Sequence, residues 1–129
     1  MSNGIEIRAA HFPGRAPIEA YGNGGFRFAD MSHRGSLLCI PSGIYGWDPA
    51  VFAEIDGPSL ERVIAEAAEV SLLLVGTGDR LQPLPAALRA MIREAGISVE
   101  VMSTGAAVRT YNVLLAEERA VAAAFIAVE

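Results

Sequence analysis

Val70-Ser71-Leu72-Leu73-Leu74-Val75-Gly76-Thr77-Gly78 is a short apolar run closed by a glycine-bearing tripeptide. A run of this length without polar alternation reads as a strand buried on both faces. Upstream, Asp56-Gly57-Pro58-Ser59 opens a helix, because Pro58 suits a first turn and Glu61 sits near the positive end of the dipole. Leu60, Val63, Ile64 and Ala67 then recur at helical spacing. Downstream, Pro83 and Pro85 introduce a second helix striped by Leu84, Leu88, Met91 and Ile92, and Gly96 stops it. Ile97 to Met102 reads as another strand. Ser103-Thr104-Gly105 leads into a third helix with Val108, Tyr111, Leu114 and Leu115 inward. Beyond the charged turn Glu117-Glu118-Arg119, the stretch Ala120 to Val128 is alanine-rich. Val121, Phe125, Ile126 and Val128 make no 3.6-residue stripe, so it reads as a strand. Strand–helix–strand–helix–strand alternation implies an α/β fold: a mostly parallel sheet covered by helices, with right-handed crossovers.

The first third has a different period. Ile5 and Ile7 alternate with Glu6 and Arg8, and Ile18 to Tyr21 and Phe26 to Phe28 alternate likewise. The cluster Gly22-Asn23-Gly24-Gly25 between the latter two predicts a hairpin. Gly35 to Ile40 reads as a buried strand stopped by Pro41. The stretch from Pro41 to Asp56, with Trp47 inside it, reads as a long loop with apolar anchors.

The 129 residues imply one domain spanning 1–129, and 52% hydrophobic against 19% charged residues excludes intrinsic disorder. Ten arginines, no lysine and fifteen acidic residues give a net charge of -5, a poor basis for binding nucleic acid. Without lysine, mechanisms that need an ε-amine are closed to this chain. A single cysteine, Cys39, allows no disulfide within the chain, and with two histidines it leaves no Cys/His zinc site. Glu6 and Arg8 interrupt any secretory signal, and the charge-free run from Gly35 to Trp47 is too short to cross a bilayer. The expectation is a cytoplasmic protein without membrane insertion.

Ligands of open α/β sheets gather at the carboxyl ends of the strands. Gly76-Thr77-Gly78 and Ser103-Thr104-Gly105 both fall there, the second at a helix start that favours an anion. Arg109 lies one turn in, and Asn112 follows on the same side of the helix. The candidate ligand- or partner-binding residues are therefore Trp47, Gly76, Thr77, Gly78, Thr104, Gly105, Arg109, Tyr111 and Asn112. Each has a plainer reading. The glycines permit tight strand exits, Thr104 caps a helix, and Arg109 pairs with Glu100 or Asp79. Tyr111 and Trp47 are core residues. No catalytic residue, metal or cofactor is indicated. His11 and His33 lie in separate loops, Cys39 is a buried thiol, and Ser36, Ser42 and Ser103 have no adjacent base.

Four motifs occur in order: Gly35-Ser36-Leu37-Leu38, Pro41-x-Gly43-x-x-x-Trp47, Leu72 to Gly78, and Thr104-Gly105-Ala106-Ala107-x-Arg109-Thr110-Tyr111-Asn112. The chain resembles, from about Ile5 to Val128, the Mth938-like family. That family includes the mitochondrial NADH:ubiquinone oxidoreductase (complex I) assembly factor 3 and small bacterial proteins of unknown function. The resemblance implies a three-layer α/β fold, with a mixed central sheet whose last strand runs antiparallel to the others, beside an N-terminal β portion. It implies assembly-factor work through protein partners, in mitochondria for that member, with no established activity or cofactor. Many relatives carry Cys where this chain has Val108, and Glu118 replaces the usual Gly of the turn after the third helix. The leading functional expectation is a non-enzymatic interaction module. The alternatives are an anion-binding protein or undescribed enzyme using the glycine loops, and a homodimer that consumes the apolar surface.

Overall fold

The computed structural model describes residues 11–129, so the expectation for Ile5 and Ile7 lies outside the described residues. Two sheets are present among them. The smaller joins β1 (Ala20–Gly22), β2 (Gly25–Phe28) and β3 (Met31–Arg34) in an antiparallel meander. Its first hairpin turns at Asn23 and Gly24, with φ 53° and 79°, the two positive values that a two-residue hairpin loop demands. The larger sheet has the order β5-β4-β8-β6-β7. It comprises β4 (Ser36–Ile40), β5 (Gly43–Trp47), β6 (Leu72–Gly76), β7 (Ser98–Met102) and β8 (Val121–Phe125).

The sheet is mixed, but the odd strand is not the last one. β8 runs parallel to β6, from Leu72↔Val121 to Gly76↔Phe125, and is antiparallel only to β4. β4 alone opposes the other four strands. A single helix returns the chain from β7 to β8, and such a crossover lays the next strand parallel in the same sheet. The reversal instead enters through the tight β4–β5 hairpin, where Ile40 pairs with Gly43 across Pro41 and Ser42.

β3 and β5 are elements that the sequence reading places in loops. Gly43 to Trp47 alternates poorly because Gly43 and Gly46 contribute no side chain, yet every residue of the segment pairs with β4. β3 (Met-Ser-His-Arg) has little strand propensity and is held by its partner β2.

Helices cover both faces. A 3-10 turn at Pro58–Leu60, helix α1 (Glu61–Ala65) and helix α2 (Ala86–Glu94) lie on one face. There Leu60, Val63, Leu84 and Ile92 pack on Leu38, Ile40, Leu73, Val75, Ala122 and Ala124. Helix α3 (Thr104–Ala116) and the small sheet cover the other face. There Phe26, Phe28, Ala107, Val108 and Tyr111 pack on Leu37, Cys39, Leu74, Ala123 and Phe125. Strand alternation thus divides one apolar run between two cores. Ala122, Ala123 and Ala124 are fully buried between the layers. Their helix propensity is overridden by the central position of β8.

The two longer helices end in the same way. After α2, the N–H of Ile97 reaches the carbonyl of Ile92 at 3.3 Å, with Gly96 at φ 87°. After α3, the N–H of Arg119 reaches the carbonyl of Leu114 at 3.0 Å, with Glu118 at φ 60°. Both are left-handed caps that favour glycine, and the second carries a side chain. The replacement at Glu118 therefore leaves the turn intact and strains it. Glu118→Gly is expected to raise stability by about 1 kcal/mol, readable as a higher urea midpoint with an unchanged slope.

Candidate functional site

β6 and β7 are parallel neighbours, so the chain leaves both at the same rim. The N–H of Thr77 donates to the Met102 carbonyl at 2.9 Å, and the N–H of Thr104 donates to the Gly78 carbonyl at 2.8 Å. The N–H of Gly78 in turn donates to Thr104 Oγ1 at 3.0 Å, and that hydroxyl donates to the Ile126 carbonyl at 2.6 Å. The N–H of Ile126 donates to Gly76 O at 2.9 Å. Three segments, after β6, β7 and β8, are thereby tied through one hydroxyl. A Cβ on Gly76 would lie 2.9 Å from Thr104 Cα, so only glycine lets the strand exit and the helix start meet.

This corner is closed rather than poised open. Thr77 Oγ1 donates to the Arg80 carbonyl at 2.6 Å and accepts from the Gln82 N–H at 3.1 Å. Thr77 and Thr104 are 1% and 0% exposed. Thr104 is not the helix cap: that role falls to Ser103, whose hydroxyl accepts from the Ala106 N–H at 3.4 Å. Among the described residues no buried side-chain nitrogen or oxygen lacks a partner. Tyr21, from β1, lays its hydroxyl against Gly105 at the helix start.

Asn112 does not join Arg109 at a ligand. Its amide grips the backbone of Ile18 twice, accepting from the N–H and donating to the carbonyl, both at 2.9 Å. It takes the place of a neighbouring strand and fastens the N-terminal segment to α3. Arg109 is exposed, and it pairs with neither Glu100 nor Asp79. The one ion pair within 4 Å among the described residues joins Arg119 to Glu117 at 3.8 Å. Arg109 Nη1 lies over Gly105, on the side where Tyr21 arrives.

Trp47 and Tyr111 are interior. Trp47 is 7% exposed, and its indole N–H donates to the Ser59 carbonyl at 2.7 Å, so it anchors the 3-10 turn instead of offering a surface. Tyr111 is 1% exposed and stands edge-on to Phe125, with centroids 5.7 Å apart. Its hydroxyl neighbours the Cys39 thiol. Burial pushes Cys39 up to about 12 from 9.0, and burial together with the neighbouring thiol pushes Tyr111 up as well. The thiol therefore stays protonated and unreactive in the folded state. Because a raised acid pKa disfavours ionisation only in the fold, its stabilising contribution is complete below the unfolded value of 9.0 and is lost as pH rises toward 12. Stability is expected to fall by roughly 1.4 kcal/mol per pH unit for this group across that window. Alkaline urea titrations of wild type and Cys39→Ala check it, the variant showing the shallower decline.

The histidines, separate in sequence, meet in space. The His11 and His33 rings lie 4.8 Å apart above Gly46. Partial burial, assisted by His11, lowers the pKa of His33. No sequence signal pairs them; the contact depends on β3, which the sequence hides. Among the described residues there is no group of three metal-ligating side chains, and no helix is long and apolar enough to cross a membrane.

The chain is similar to several known proteins. A crystal structure described as an outer membrane protein from Bartonella henselae superposes with a TM-score of 0.89 at 61% identity, over 92% of this chain and 100% of that one. A solution structure from Bordetella pertussis, described as a Mth938-like domain, superposes with a TM-score of 0.74 at 29% identity, over 87% of this chain and 85% of that one. NADH dehydrogenase (ubiquinone) 1 alpha subcomplex assembly factor 3 of Xenopus tropicalis is 34% identical over 84% of this chain, which spans 60% of that relative's length. The model of the family described as protein of unknown function (DUF498/DUF598) matches residues 18–126. The chain belongs to this family, with the Mth938-like fold.

Proposed function

We propose that this chain is a protein-interaction module with an assembly-factor-like role. The observation that carries the reading is the closed corner. At the rim where an α/β fold would hold a small ligand, the threonine hydroxyls and the loop amides named above are consumed internally. What the corner turns outward is Arg109, with the half-exposed Tyr21 beside it, a pairing of the residue types enriched at protein interfaces. The similarity to an NADH dehydrogenase assembly factor supplies the class of role, and the partner is a protein.

Affinity capture from native extract tests it, with wild type beside Arg109→Ala. Wild type is expected to retain a specific protein in stoichiometric amount. Arg109→Ala is expected to lose it while its unfolding free energy stays within about 0.5 kcal/mol, as befits an exposed and unpaired side chain. Native mass spectrometry that shows wild type carrying a small anion instead would overturn the reading in favour of a ligand-binding protein.

A further inference from the structure

The outward face of the small sheet is a trough with a floor nearly free of side chains. Register places Gly22, Gly25 and Arg34 on one rung, and Ala20, Arg27 and Ser32 two rungs away. Alternate residues share a face, so these six project together, while Phe26 and Phe28 turn into the core. The hollow over them has a volume of about 410 Å³. Ala20 and Gly22 form its open floor, with no atom within 4 Å of where a Gly22 Cβ would stand, while Gly25 beside them is buried against the backbone of His33. A strand glycine left open in this way lets another backbone approach closely. Arg27 and Arg34 wall it. Arg27 Nη1 donates to Ser32 Oγ at 2.9 Å, which fixes one guanidinium and leaves its other N–H groups free. The lining contains no Asp or Glu, in a chain whose net charge is -5.

We infer that this trough docks an extended acidic segment of a protein partner, with carboxylates at alternate positions. The inference rests on the interaction-module reading and adds the chemistry of the partner. Arg27 on β2 and Arg34 on β3 stand two rungs apart, about 7 Å along the strands and about one strand spacing across them, so that their long side chains reach carboxylates at alternate positions of an extended chain. Each guanidinium offers the forked donors that match a carboxylate. Charge complementarity favours an acidic peptide over nucleic acid, since two arginines on an acidic protein make too few phosphate contacts to hold a polyanion.

A fluorescently labelled peptide alternating Glu and Ala serves as the probe, followed by anisotropy at low salt. Saturable binding is expected, weakened roughly tenfold in Arg27→Glu/Arg34→Glu and unchanged in Arg89→Glu/Arg93→Glu on helix α2. Arg34→Gln, which breaks no internal hydrogen bond, is expected to weaken binding about threefold with an unaltered amide spectrum. That variant keeps the result meaningful if the double substitution unfolds the small sheet. Absent binding, binding indifferent to both trough variants, or tighter binding of a single-stranded DNA oligomer would each overturn the inference. Undiminished capture of the same extract protein by Arg27→Glu/Arg34→Glu with an unaltered amide spectrum would also overturn it while leaving the interaction module standing. Failure of wild type to capture any protein would instead undo the module reading.

Discussion

Thr104→Val is expected to lower the unfolding free energy by about 2–4 kcal/mol. The side chains match in shape and both are β-branched, so packing and helix propensity barely change. What disappears is the hydroxyl that donates to the Ile126 carbonyl and accepts from the Gly78 N–H in a fully buried site. Each orphaned backbone group carries a desolvation penalty of about 1–3 kcal/mol. The penalty falls on the junction of β6, β7 and β8, where Gly78 and Ile126 are both buried. Urea denaturation of Thr104→Val and Thr104→Ser separates the causes. Serine retains the hydroxyl and is expected to cost about 1 kcal/mol, the contribution of a buried methyl. Equal losses in the two variants would mean that the methyl, not the hydroxyl, ties the corner.

Asn112→Ala is expected to cost about 2–3 kcal/mol, with the damage concentrated away from the mutated helix. The amide is the bond partner of Ile18 on both its N–H and its carbonyl, and Ile18 is 3% exposed. Removing it leaves two strand-edge groups unpaired at the seam between α3 and the small sheet. Hydrogen exchange should show β1 and β2 amides opening faster than in wild type, with β6 and β8 changed less. Uniform acceleration throughout the sheets would show that Asn112 is not the fastening of the N-terminal layer.

The second half of the fold is legible in sequence because its elements obey one period each. Leu72 to Val75 is unbroken apolar, Leu84 to Ile92 is striped, and Gly96 sits where a left-handed cap needs it. The first half is less legible for a physical reason. Gly43 and Gly46 erase the alternation of β5, and β3 is made of residues that only a partner strand persuades to extend. The resemblance implies an antiparallel β8, whereas the strand runs parallel to β6, as strand–helix–strand alternation by itself implies. The shared rim of the two glycine-bearing strand exits is legible because each follows a buried strand of an α/β alternation. Their internal closure is not, because it depends on the carbonyl of Ile126, far along the chain. Likewise Asn112 looks free on its helix until Ile18 arrives from the other end of the sequence.

Central to the account is that the rim beyond β6 and β7 is sealed by its own hydrogen bonds, so that recognition takes place on the surface around it. Amide NMR titration with inorganic phosphate and with adenosine monophosphate tests this most directly. The amides of Gly78 and Thr104 donate to Thr104 Oγ1 and the Gly78 carbonyl, and they are predicted to stay fixed throughout. Saturable shifts at Gly78, Thr104 and Gly105, abolished by Arg109→Ala, would contradict it and make the corner a ligand site.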